Sequence, residues 1–294
     1  MTYMYYLLTL FIGVLIAVMT VCNGALTSLF GLYSATVFIH IVGMACIGLS
    51  VLVRRENPFS KRCSWYLYLG GALGVGTTAA TNMAFGSISV SAILALSLFG
   101  QAVTSIFTDQ IGFMGMTRHP FRKHKLIGLS LVGGGIIIML TDFKALVVIL
   151  PFLAGVSLVI SRTLNACLAE ETSGSISTFY NYLIGLSTAV IVLLLAGRRE
   201  PLMTAPVFSA DLYIYIGGAL GVATVFLSNV VVAKISAFYM TLFLFVGQVF
   251  SALILDFIID GAFSVRNLIG GLLVAAGLSV NLVLEKRTET KSFV

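Results

Sequence analysis

The string YLYLGGALGV at 66–75 returns as YIYIGGALGV at 213–222, and the register holds well beyond it. The same offset pairs Thr77 with Thr224, Asn82 with Asn229, Ile88 with Ile235, Ser89 with Ser236, Gln101 with Gln248, and Asp109 with Asp256. A slightly smaller offset pairs Gly13 with Gly155, Asn23 with Asn165, Gly43 with Gly185 and Gly128 with Gly270. The chain is therefore an internal duplication. Composition limits what the duplicated unit can be. Only 10% of residues are charged and 59% are apolar, whereas ordinary soluble domains carry about 25% charged residues. So little charge cannot cover a water-facing surface, so the chain is an integral membrane protein. The same numbers exclude disorder and nucleic-acid binding.

Ten apolar stretches are long enough to be helical spans, at roughly 4–27, 33–53, 64–86, 88–111, 125–141, 145–167, 176–197, 211–232, 235–259 and 265–284. They show no strict period-2 alternation, which favours an all-α membrane fold over a barrel. The first run lacks a basic leader and exceeds a typical signal-peptide core, so it is expected to be a retained span. Five helices per copy is an odd number. Residues 1–141 and 142–294 are then two five-helix repeats of inverted topology within one membrane domain. Such repeats place a site near the midplane where the halves meet. With a cytoplasmic N-terminus, thirteen basic residues, among them Arg54, Arg55, Lys61, Arg62, Arg118, Arg122, Lys123, Lys125, Arg162 and Lys234, fall inside. Lys144, Arg198, Arg199 and Arg266 fall outside, so the net charge of +6 reads as topology with both termini cytoplasmic. Cys22, Cys46, Cys63 and Cys167 lack metal-ligand spacing and are assigned neither a metal nor a disulfide.

The order of these motifs resembles the YdcZ-type family of bacterial inner-membrane proteins. Trp65 precedes GGALGV; GQAVTSIFTDQIG follows at 100–112; then come the basic loop RHPFRKHKLIG at 118–128 and GGG at 133–135. The second copy repeats this with GGALGV, GQVFSALILD and LIGG at 268–271. The resemblance covers nearly the whole chain and implies a fused tandem protein of the drug/metabolite transporter superfamily, with export as the family's label. Departures lie in the first two helices of each copy. Met19 and Ser161 stand where the family is expected to carry Gln, and the pairs Ile39, His40 and Asn181, Tyr182 replace a Ser-Phe segment. Small multidrug-resistance exporters, which resemble this superfamily, use a first-helix glutamate; neither 7–22 nor 145–159 contains a carboxylate.

Within an apolar chain, polar residues repeated in both copies are the candidate solute ligands: Asn23 and Asn165, Asn82 and Asn229, Gln101 and Gln248. Amides donate and accept hydrogen bonds without carrying charge, although they can also merely join helices at about 1 kcal/mol each. His40, Asn181 and Tyr182 join the candidate site. So do Phe238 and Tyr239, which open an aromatic run with Met240, Phe243 and Phe245 that is either lipid-facing or a wall for a planar ligand. His40, Asp109 and Asp256 are candidates for proton coupling, against a structural role for the two carboxylates. Arg162 is expected to snorkel to the inner interface, with anion recognition as the alternative. Gly70 with Gly74, Gly217 with Gly221, and the 133–135 and 270–271 glycines offer close-packing faces, or a homodimer contact.

No nucleotide-binding fingerprint or catalytic constellation is present. The expectation is a cofactor-free, non-enzymatic secondary transporter of a small polar or amphipathic organic solute in the bacterial inner membrane, either coupled to a proton or other ion gradient or facilitative. A membrane-embedded binding or scaffold protein is the alternative.

Overall fold

The computed structural model describes residues 2–115, 125–140, 145–197, 199–200, 209, 211–232, 234–235, 237–261 and 264–292. Among them are ten helices: α1 (Thr2–Phe30), α2 (Leu32–Val53), α3 (Gly70–Ala84), α4 (Val90–Ile111), α5 (Lys125–Met139), α6 (Ala145–Glu171), α7 (Gly174–Ala196), α8 (Ile216–Val232), α9 (Ala237–Asp260) and α10 (Val265–Ser292). No strand occurs among the described residues; one isolated bridge joins Phe85 and Ile88. Helices dominate because a backbone in lipid must satisfy its hydrogen bonds within the segment. Breaks come where the sequence supplies glycine at positive φ, a region that other residues rarely adopt. Gly31, at φ 82°, separates α1 from α2, and Gly112, at φ 64°, caps α4.

Seven described stretches are long and apolar enough to cross a membrane, and two more, Leu126–Met139 and Val265–Gly277, are apolar but shorter. Ten full spans are thus more than the described helices supply individually. The region of α3 shows why. Its 15 residues rise only about 22 Å, short of the roughly 30 Å hydrocarbon core. A 3-10 turn at Trp65–Leu69 runs directly into it and adds about 10 Å. A matching turn, Leu212–Tyr215, leads into α8.

The main contacts cross between copies. α1 lies on α8 and α9, and α6 lies on α3 and α4; α2 pairs with α7, α4 with α9, and α5 with α10. Exchanging the copies maps this contact set onto itself. Large apolar side chains such as Leu7, Leu49, Leu195 and Ile254 are exposed on the outside, while Thr20, Asn23, His40, Gln101 and Gln248 are buried. That arrangement suits lipid outside and a polar interior.

Glycine sets how closely the crossings approach. A Cβ at Gly13 of α1 would stand 2.7 Å from the Leu244 carbonyl oxygen and 2.8 Å from the Gly247 Cα of α9. The equivalent crossing of α6 over α4 brings Gly155 against the Ser97 carbonyl and Gly100 against the Phe152 carbonyl. α5 and α10 meet at Gly135 and Gly270 beside a core of Leu96, Val132, Ile136, Met139, Phe245 and Val274. The GGG run contributes unequally: nothing lies within 4 Å of a Cβ at Gly133, and at Gly134 only Leu273 does, at 3.8 Å. Gly70 and Gly217 press on α6 and α1 as expected of packing glycines; Gly221 lines a cavity while packing closely on the Tyr182 hydroxyl, and Gly74 lines the cavity with open space beside it.

Candidate functional site

Between the copies lies a cavity of about 150 Å³, space for a molecule about the size of benzene. Eight helices line it, four from each copy; α5 and α10 contribute nothing. It gathers Asn23, His40, Asn82, Gln101, Asn165, Asn181, Tyr182, Asn229 and Gln248. The side chains of Asp109, Phe238 and Tyr239 lie outside the described residues. Met240, Phe243 and Phe245 do not line the cavity. Phe245 is buried in the core beside α5 and α10, and Phe243 stacks on Tyr6 at 4.8 Å.

Hydroxyls and amides in this interior behave differently. Most threonines and serines satisfy themselves locally: Thr20 Oγ1 donates to the Ile16 carbonyl at 2.8 Å, Thr77 to Leu73 at 3.1 Å, and Thr224 to Gly221 at 2.8 Å. Several of the amides do not. Nδ2 of Asn82 and Asn229, Nε2 of Gln101 and Gln248, and Oδ1 of Asn23 are buried without a hydrogen-bond partner among the described residues. Gln248 is 1% exposed and Gln101 2%. A buried polar atom left in this state costs about 1–3 kcal/mol.

The two copies differ where Asn23 and Asn165 sit. Oδ1 of each rests on a bare glycine of the crossing helix, Gly217 for Asn23 and Gly70 for Asn165. Asn165 also donates from Nδ2 to Asn181 Oδ1 at 2.9 Å. In the first copy Ile39 occupies the place of Asn181, which deprives Asn23 of this partner. Ser157 and Ser161 of α6 donate to the Leu73 and Gly70 carbonyls of α3 at 3.0 and 2.8 Å. Met19 replaces Ser161 on the α1 side, so one flank of the cavity is stitched by hydrogen bonds and the other is packed by a thioether.

His40 is buried, and its Nδ1 lies 2.7 Å from the Thr36 carbonyl. A carbonyl can only accept, so Nδ1 carries the proton and Nε2 is left as the atom that titrates. Tyr182 packs 5.7 Å from that ring, and its hydroxyl donates to the Gly218 carbonyl at 3.4 Å. Asp256 is placed elsewhere. It is buried and accepts from the Val90 and Ser91 backbone N–H groups at 2.8 and 3.1 Å, capping the N-terminus of α4. Glu200 does the same for α2, accepting from Tyr33 and Ser34 at 3.0 and 2.6 Å. Of the three residues considered for proton coupling, only His40 is seen to line the cavity.

Arg162 departs from the snorkelling expected of it. It lines the cavity and donates from Nη1 to Gln101 Oε1 at 3.2 Å. Because arginine only donates, Gln101 must present its oxygen there, which fixes the orientation of the amide and leaves Nε2 facing away. A stripe of Thr77, Thr78, Thr81 and Asn82 on α3, echoed by Thr224, Ser228 and Asn229 on α8, also lines the space. The repeat offset pairs Thr81 with Ser228 as it pairs the asparagines, a signal the amides alone did not exhaust.

A solved crystal structure of another protein matches 98% of this chain and 98% of its own length, with a TM-score of 0.65 at 16% identity. At that identity the likeness shows the fold alone. No match is found among curated proteins. One family model, described as "Putative inner membrane exporter, YdcZ", matches twice in tandem, at residues 4–138 and 146–280. The chain is a multi-pass membrane protein that belongs to the YdcZ family of transporters, as a tandem fusion of two family units.

Proposed function

We propose that the chain is a secondary transporter that carries a small polar or amphipathic organic solute through the amide-lined cavity by alternating access. Its halves, 1–141 and 142–294, lie inverted with respect to each other in the bacterial inner membrane, with both termini cytoplasmic. The observation that carries this reading is the convergence of amides from both halves on one cavity, several of them with a buried atom unpartnered among the described residues. A solute entering it exchanges hydrogen bonds with water for bonds with these amides. The contact pattern supports the rest: each half touches the other through equivalent helices, the condition for rocking one against the other.

Gly74 supplies the test. A Cβ there has only Asn181 Oδ1 within 4 Å, at 3.9 Å, so Gly74→Phe is compatible with the backbone and fills the cavity. Purified protein is screened by thermal shift against metabolites, since a ligand that binds the folded state raises its stability by mass action. Solutes that bind are then followed into proteoliposomes. Gly74→Phe is expected to remain folded and to lose both binding and flux. Unchanged flux in that variant places the route elsewhere and contradicts the proposal.

Proton coupling in this reading rests on His40 Nε2. Tyr182 faces the ring and Arg162 lines the same space. Flux through the wild type is expected to depend on pH, because histidine is the side chain most readily protonated and deprotonated near neutrality. His40→Asn is expected to flatten that dependence while leaving solute binding measurable. A variant profile that overlays the wild-type one removes His40 from coupling.

A further inference from the structure

Among its described lining residues the cavity carries one fixed positive charge, the guanidinium of Arg162. No Asp or Glu is among its described lining residues. The ion pair found among the described residues, Lys61 with Glu171, is remote from it. Arg162 has only a neutral amide oxygen, Gln101 Oε1, for company, and a guanidinium brings five N–H donors. The amides of Asn82, Gln101, Asn229 and Gln248 line the same space, and each can donate to an anion's oxygens without adding charge. The position equivalent to Arg162 in the first copy is Thr20, so duplication has not doubled the charge.

Resting on the reading of this cavity as the solute site, we propose that the solute is a small organic monoanion bearing a carboxylate, held by the Arg162 guanidinium and the neighbouring amide donors. The planar fork of arginine matches the two oxygens of a carboxylate. A cation entering the space would meet Arg162 and no acid. The ammonium of a zwitterion would find only neutral oxygens. A dianion would bring one charge more than the fixed cation balances. The volume of about 150 Å³ excludes bulky amphiphiles and suits an acid of a few carbons or a single ring.

The experiment uses the full-length protein in detergent, by thermal shift, with near-isosteric sets: benzoate, benzamide and benzylamine; lactate, lactamide and 1-amino-2-propanol. The wild type is expected to be stabilised by a carboxylate and not by its neutral or cationic partners. Arg162→Gln, which retains a donor for Gln101, is expected to raise the carboxylate concentration for half-maximal shift at least tenfold. Arg162→Lys, which restores the charge without the fork, should recover part of that loss, and size-exclusion profiles establish that both variants are folded. Equal shifts from neutral or cationic compounds that survive Arg162→Gln yet vanish in Gly74→Phe overturn the anion assignment and leave the cavity as the solute site. Shifts that survive Gly74→Phe overturn both. No shift from either carboxylate at tens of millimolar overturns the anion assignment for solutes of this size.

Discussion

Gly155→Leu is expected to yield no folded, monodisperse protein, the largest effect of any single substitution considered. A Cβ at Gly155 falls on the Ser97 carbonyl oxygen and 2.9 Å from the Gln101 nitrogen. Both obstacles are backbone, so no rotamer change relieves them, and α6 must lift off α4. Ordinary overpacking costs about 1–3 kcal/mol. Separating a whole helix crossing in a protein only about 5–15 kcal/mol stable exceeds that range. Fluorescence-detected size exclusion measures the outcome. Gly48→Leu is the control: nothing lies within 4 Å of its added Cβ, and helix propensity favours the change by several tenths of a kcal/mol. Wild-type behaviour from Gly155→Leu would mean that α4 and α6 do not cross at this point.

The second large effect pairs opposite signs. Asn82→Leu and Asn229→Leu are expected to raise thermal stability while abolishing flux. Each removes a buried NH₂ that has no partner, whose cost is about 1–3 kcal/mol, and substitutes a side chain of similar size. Were these amides there to join helices, the same substitutions would destabilise, because bonds would be lost. Stability gained with function lost is the signature of a group held for its ligand. A fall in melting temperature in both variants, with flux retained, would reassign the asparagines to packing.

The repeat explains why so much of the site was legible in sequence. Pairing Asn82 with Asn229 and Gln101 with Gln248 selected residues that converge on one cavity. Arg162 was not legible in the same way. It has no charged counterpart in the other half and lies nine positions before Glu171, where α6 ends. A long side chain at that distance can reach the interface. Only the place of Gln101 on the facing helix decides its direction. Asp256 posed a similar problem: a carboxylate repeated near a helix end suits coupling and capping alike. The N-terminus of α4, which belongs to the other half, resolves it. Helix lengths were blurred where 3-10 turns continue the apolar run, since hydropathy does not distinguish the two windings.

The central claim is that the cavity opens to each side of the membrane in turn. With the four free cysteines Cys22, Cys46, Cys63 and Cys167 replaced by alanine, Thr78→Cys places one thiol on the cavity wall. In sealed vesicles of each orientation, a membrane-impermeant maleimide applied from either face is expected to label it. Bound solute is expected to slow labelling from both faces. Labelling from one face alone, in both vesicle orientations and with or without solute, would contradict alternating access.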